Sequence, residues 1–456
     1  MGAREMTPGV GFSRRVVLGA AALATIGACA RRDASSALKT PAEETLDDDA
    51  PFSIEAIKAD LLALDAVEHL RSGDAGERAI SARTAGRLAA LGYDVAEQLF
   101  EVPYFTAKTS ALRWEGGEAE VFAQHIVTPT GPAGVEAPLR LWRLGDDPAR
   151  LAGAIALVLL PYARHSQLIA KPSRESLDAA LAGKPAAVVL ITNGPTGETI
   201  MLNAPYAAPY APVPIAVLGP KPGAAAIEAA RLSVAGRLIL DGESGRRPSH
   251  NLIARRTGPG KSLVVSTPRT AWTPAVAERG PGFAAFLAIA AWATGALPGR
   301  DLIFVQTTAH EYDNAGGLHF LESDLAPKPE DVFLWLHLGA GFAGRAHHEF
   351  GEFAVNPLSS VDAQRFLIGS DDLIPLLARE FAGQPGLENP YPESRGAVGE
   401  LAEVFAKGYK PAFGMLAAHL RHHLMSDRIA MTDPEWVRMA AIAARNVIRA
   451  RAEAFR

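Results

Sequence analysis

The chain has 456 residues, of which 48% are hydrophobic and 21% charged, a composition that describes a globular protein and excludes a disordered or fibrous one. Its formal charge of -5 leaves no basic excess to neutralise phosphates, which speaks against nucleic acid or an anionic membrane surface as a partner. Peptides, small molecules or proteins are the expected partners.

The first residues carry a specific signal. Ser13-Arg14-Arg15-Val16-Val17-Leu18 opens a short apolar run that ends in Ile26-Gly27-Ala28-Cys29. Residues 1–29 read as a twin-arginine lipoprotein signal: the run is too short to span a bilayer, and small residues before a cysteine suit cleavage and lipid transfer to that thiol. Cys29 is the only cysteine, so it has no partner for an internal disulfide, which favours lipidation over an ordinary cleaved signal. Residues 30–50 are polar, acidic and small, as in a flexible tether. The protein is therefore expected on the periplasmic side of the cell envelope, touching the membrane through its lipid anchor alone.

From Ile54 to Leu91 apolar residues recur at helical spacing, and Gly92 stops the second helix before an extended segment, Tyr93 to Val102. Between about Val121 and Asp241 short β runs such as 154–160 and 187–191 alternate with proline-rich loops, which predicts a small β/α module. Beyond residue 251 the order becomes strand, helix, strand: a strand at Leu263–Ser266, a helix at Phe283–Trp292, strands at Leu302–Val305 and Val332–Leu336, and a last helix from Pro434. Such alternation implies a largely parallel sheet covered by helices, with its ligand site at the carboxyl ends of the strands. Glu278, the pair His310-Glu311, His337 and the pair His422-His423 all fall at or near those ends. Imidazoles and carboxylates that converge from separate elements suit a zinc ion.

Phe304 to Phe320, with His310-Glu311 and Gly316-Gly317, resembles the strand, paired glutamates and glycine-containing helix start of the zinc aminopeptidase family, to which glutaminyl cyclases also belong. Glu278-Arg279-Gly280-Pro281-Gly282 is similar to that family's Asp-Asn-x-Ser-Gly helix start, Leu336-His337-Leu338 to its Leu-Asp-Met, and His423 with Asp427 to its closing His-Thr-x-x-Asp. The stretch 121–245 resembles the protease-associated domain that many members carry. The resemblance implies a three-layer zinc-exopeptidase-like α/β domain, with a mostly parallel central sheet, over 51–120 and 246–456, interrupted by the insert at 121–245.

Members hold two zinc ions. Carried over, Glu278 stands at the bridging position, Glu311 and His423 complete one ion's set, and His337 replaces an aspartate of the other. Pro268 stands where that second set needs its histidine, and proline offers no ligand, so a two-metal clamp is not expected. One zinc on Glu278, Glu311 and His423, with His337 nearby, keeps a position open as catalytic zinc sites do. His310 replaces the glutamate that polarises the attacking water and is the candidate general base. The implied activity is a one-zinc hydrolase or acyl-transfer enzyme acting on peptide N-termini or small amides. The alternative is an inactive pseudo-peptidase that keeps the fold as a peptide or protein binding module.

Other signals fail on context. The residue three beyond Glu311 is Asn314 rather than histidine, which removes the zincin motif. Gly339 to Gly344 has the spacing of a dinucleotide loop but leads into His347-His348-Glu349 rather than an amphipathic helix. Gly258-Pro259-Gly260-Lys261-Ser262 lacks the leading glycine of a phosphate loop, and no Gly-x-Ser-x-Gly occurs.

Overall fold

The computed structural model describes residues 48–164 and 171–454. The chain divides into two units, Met1–Asp49 and Ala50–Arg456, and among the described residues every helix and strand belongs to the second. The signal expected over 1–29, with Cys29, and nearly all of the tether lie outside the described residues. Among the described residues no helix is long and apolar enough to cross a membrane.

The opening two helices are α1 (Ile54–Asp65) and α2 (Ala75–Ala90). Ser53 caps α1 by accepting from the Ala56 N–H at 3.3 Å, and Gly92, at φ +81°, gives the chain the left-handed turn that ends α2. A 21-residue strand, β1 (Asp94–Trp114), follows. The next stretch holds β2 (Gly117–Glu120), β3 (Phe122–Ala123), β4 (Val135–Arg143), β5 (Ile155–Tyr162), α3 (Lys171–Ala182), β6 (Ala187–Asn193), β7 (Ile215–Leu218) and α4 (Ala224–Arg231). It has two apolar clusters of its own, one around Leu157, Val189 and Leu238 and one around Trp142, Val158 and Leu190. The long strand β8 (Ala235–Arg256) then pairs antiparallel with β1 from Trp114↔Gly236 to Asp94↔Arg255. The boundary expected between residues 245 and 246 falls inside this uninterrupted strand.

The remaining elements are β9 (Ser262–Pro268), α5 (Val276–Ala296), β10 (Asp301–Thr307), α6 (Ala315–Leu321), β11 (Val332–Leu338), β12 (Arg345–Glu349), β13 (Val355–Val361), β14 (Arg365–Gly369), α7 (Ile374–Glu380), β15 (Tyr391–Pro392), α8 (Glu400–Ala406), β16 (Ala412–Ala417) and α9 (Pro434–Glu453). The sheet runs β15-β14-β16-β11-β9-β10-β8 and continues through β8 into β4-β5-β6-β7-β3. β16, β11, β9 and β10 are mutually parallel, whereas β14 and β8 flank them antiparallel. Successive residues of β9 point to opposite faces: Leu263 and Val265 join α1, α5 and α9 on one side, and Val264 joins Phe320 and Val404 on the other. Both faces are covered, which gives three layers and explains why β9, β10 and β11 read as unbroken apolar runs. His347 and His348 lie in β12, which pairs with β13 to form a separate ribbon.

Candidate functional site

Glu278, His310, Glu311, His337, His422 and His423 lie at or beyond the carboxyl ends of β9, β10, β11 and β16, but only some of them approach one another. Helix α5 begins earlier than the apolar pattern suggested, at Val276, so Glu278 lies in its first turn. Asp427 caps this end: its two oxygens accept from the N–H groups of Ala277 and Glu278 at 2.9 and 3.0 Å, satisfying donors that a helix start leaves free. The helix sits close against the strands because Gly282 has no side chain; a Cβ there would lie 2.6 Å from Thr267 Oγ1. Ala275, Ala309, Asp313, Asn314 and His423 all have positive φ without being glycine, and all flank the site. Packing holds these five bends in place, a concentration of strain typical of functional sites.

Glu278 is fully buried and stands between two different environments. On one side is Arg279, whose Nη2 lies 2.9 Å from Glu278 Oε1 and donates to Glu311 Oε1 at 2.8 Å, while its Nε donates to the Thr270 carbonyl at 2.6 Å. Thr270 Oγ1 donates to the other oxygen of Glu311 at 2.6 Å. Glu311 is thus satisfied by protein groups, and the space between the two carboxylates holds a guanidinium.

On the other side are His422 and His423, with rings stacked 4.3 Å apart. His423 Nε2 is 3.6 Å from Glu278 Oε1, and His422 Nδ1 is 3.9 Å from Glu278 Oε2. The Nδ1 of His423 lies 2.7 Å from the Met201 carbonyl, which only accepts, so Nδ1 carries the proton and Nε2 presents a lone pair towards Glu278. Burial lowers the pKa of both imidazoles and keeps them neutral. Burial works against the charge on Glu278, yet the groups facing it, of which Arg279 alone carries a fixed charge, hold its carboxyl below the usual carboxylate range. Among the described residues Glu278 Oε1 and His422 Nδ1 are buried without a hydrogen-bond partner; the Arg279 contact is an ion pair off hydrogen-bond geometry. One donor atom each from Glu278, His422 and His423 lie within 4.8 Å of one another.

These donors test the fit of a zinc ion. Two neutral imidazoles and one ionised carboxylate, with unsatisfied atoms turned inward and one imidazole oriented through its far nitrogen, form a suitable donor set. The set expected from sequence differs by one member. Glu311 is already bound by Arg279 and Thr270, and an ion placed between it and Glu278 would meet a fixed positive charge. His422 rather than Glu311 belongs to the group of three donor-type side chains whose atoms converge. His337 is elsewhere, its Nδ1 3.0 Å from Ser266 Oγ, which accepts from the Trp335 indole at 2.9 Å; burial pushes its pKa down to about 4.

His310 has a partner that sequence reasoning missed. Its Nδ1 lies 3.0 Å from Glu400 Oε1, and both Glu400 oxygens accept from Thr307 Oγ1, at 2.9 and 3.0 Å. Burial opposes the Glu400 charge, but the bond and charge of His310 lower its pKa overall, so the carboxylate is ionised and Nδ1 carries the shared proton. Nε2 is then the basic nitrogen. The His310 side chain is 17% exposed and that of His422 12%, against 0% for Glu278. A segment of the expected insert also contributes: Met201 N–H donates to the His423 carbonyl at 3.1 Å and Ala204 N–H to the Glu311 carbonyl at 2.8 Å.

No protein-family model matches the chain, and no curated protein does. Solved structures do. Their shared architecture is that of the zinc-dependent exopeptidases, the fold expected from sequence. A zinc aminopeptidase from Bacillus subtilis aligns at 16% identity and TM-score 0.69, covering 87% of this chain and 95% of its own. A peptidase M28 precursor from Shewanella amazonensis aligns at 15% identity and TM-score 0.64 over 89% and 97%. An aminopeptidase from Aneurinibacillus sp. strain AM-1 aligns at 16% identity and TM-score 0.60 over 88% and 95%. At these identities the likeness establishes the fold, while the chemistry rests on the side chains of the site.

Proposed function

We propose that this chain is a one-zinc hydrolase of the aminopeptidase type, acting on peptide N-termini or related small amides, with the ion held by Glu278, His422 and His423. The observation that carries this reading is the inward-facing pair of buried, unpartnered atoms, Glu278 Oε1 and His422 Nδ1, beside the oriented Nε2 of His423. Buried polar atoms are rarely left unpaired, and a bound ion is one of the few explanations for such a pair. The names of the solved aminopeptidases point to the same substrate class.

Zinc held by Glu278, His422 and His423 would supply Lewis acidity towards a substrate carbonyl and towards water. His310 accepts the proton of the attacking water at Nε2 and returns it to the departing amine. Glu400 keeps His310 in the tautomer this requires, with Nδ1–H directed at a carboxylate that Thr307 holds still. Asp427 fixes the start of α5 and thereby the position of Glu278. Delivery to the envelope as a lipoprotein through Cys29 belongs to the same proposal, and Cys29→Ser should release the protein from membrane fractions.

The test pairs zinc titration with turnover of a panel of aminoacyl amides, using the parent, His422→Ala and Glu400→Gln. One bound zinc, lost in His422→Ala, with metal-dependent turnover that Glu400→Gln lowers without loss of zinc, is the expected result. A parent that binds no zinc at micromolar concentration contradicts the reading and leaves a peptide or protein binding module on a peptidase fold.

A further inference from the structure

The other side of Glu278 has its own chemistry. All three groups that Arg279 contacts through Nε and Nη2 are oxygens: the Thr270 carbonyl at 2.6 Å, Glu311 Oε1 at 2.8 Å and Glu278 Oε1 at 2.9 Å. Two carboxylates and a carbonyl are the ligands of a hard divalent cation such as manganese or magnesium, not the nitrogen-rich set that zinc prefers. The guanidinium is fully buried, Glu278 and Glu311 are 0% and 1% exposed, and among the described residues no other cation is hydrogen-bonded to Glu311. Burying a second carboxylate beside the first is tolerable only with a positive charge between them.

We infer that Arg279 is a resident cation filling an oxygen-lined metal position, and that this position accepts a hard divalent ion when the guanidinium is removed. The positive charge between the two carboxylates is thus covalently part of α5 and cannot dissociate. Glu311 is therefore a structural counter-charge in this chain and not a ligand. The Thr270 hydroxyl, donating to Glu311 Oε2, orients that carboxylate with its Oε1 towards the guanidinium. The inference concerns the Arg279 side of Glu278 and stands whether or not zinc binds on the His422 side.

The experiment counts manganese bound per chain by electron paramagnetic resonance, with zinc supplied at one equivalent, in the parent, Arg279→Asn, Arg279→Lys and Arg279→Asn with Glu311→Gln. Asparagine is short and neutral, so it vacates the position; lysine keeps the charge. Arg279→Asn is expected to bind one more manganese than the parent, Arg279→Lys none more, and the double variant to lose the gain. Melting temperature is read alongside: Arg279→Asn should be destabilised without manganese and recover with it. A folded Arg279→Asn with the parent's count overturns the inference. So does an Arg279→Asn chain that stays unfolded at saturating manganese, or an Arg279→Lys chain that gains the ion. The count is repeated without zinc, which would otherwise compete with manganese for the vacated position if the imidazole side left it free; taken relative to the parent in that series, the result stands even where a parent without zinc defeats the proposed hydrolase.

Discussion

The two sides of Glu278 differ in how a buried negative charge is answered. Towards Glu311 the protein supplies its own guanidinium, and the Glu311 oxygens find donors in Arg279 and Thr270. Towards His422 and His423 it supplies neutral imidazoles and leaves atoms without partners. The first arrangement matches the Glu311 charge with a guanidinium, although Arg279 Nη1 stays without a hydrogen-bond partner among the described residues; the second brings no fixed positive charge. A motif that places Glu278, Glu311 and His423 in one ligand set therefore reads residue types correctly but assigns Glu311 to a group whose charge is already matched.

The comparison breaks most visibly if Arg279 is removed without compensation. Arg279→Met leaves two buried carboxylates facing each other and should cost about 3–5 kcal/mol in denaturant unfolding, with part of the loss restored by adding Glu311→Gln. No loss, or no rescue, would mean that the guanidinium is not the counter-charge. On the imidazole side, His422→Ala should weaken zinc binding by at least about 100-fold in calorimetry. Glu311→Gln should stay at or below the roughly 10–100-fold range typical of groups outside the ligand set. The reverse order would move the ion to the Glu311 side.

Smaller effects sharpen the picture. Asp427→Ala removes both acceptors at the start of α5 and should cost about 1–2 kcal/mol, with weaker zinc binding as Glu278 loses its fixed position. The smallest concerns pH. Burial holds His125 neutral with its pKa lowered to about 3, so below the ordinary value of 6.5 the unfolded chain takes up a proton that the folded chain refuses. Stability from this group is full above pH 6.5 and falls as pH drops towards about 3, by about 1 kcal/mol over the first unit. His125→Gln should flatten that slope; an unchanged slope would show that other groups govern it.

Much of the peptidase-like half was legible because buried parallel strands and their covering helices leave strong period signals. β9, β10, β11 and α9 lie where the apolar runs put them. The start of α5 was missed because its first turn, Val276 to Gly282, contains Pro281 and two glycines, which read as a loop. Within the site, His310, Glu278 and His423 are visible as strand-end residues. Glu400 is not, because it lies ninety positions from His310 and opens a seven-residue helix behind glycines. Arg279 was visible as a residue but not as a function: only the direction of its side chain, folded back onto Thr270 and Glu311, turns a helix residue into an ion. His422 had the same disadvantage. Which of two adjacent histidines faces a carboxylate depends on the local backbone, here the left-handed turn at His423, and no spacing rule encodes it.

Anomalous diffraction at the zinc edge, on crystals of the parent grown with one equivalent of zinc, tests the central claim most directly. A single peak at ligand distance from Glu278, His422 and His423 is expected, with the Arg279 guanidinium still between Glu278 and Glu311. A peak between Glu278 and Glu311 with Arg279 swung aside, or no peak at Glu278 at all, would contradict it.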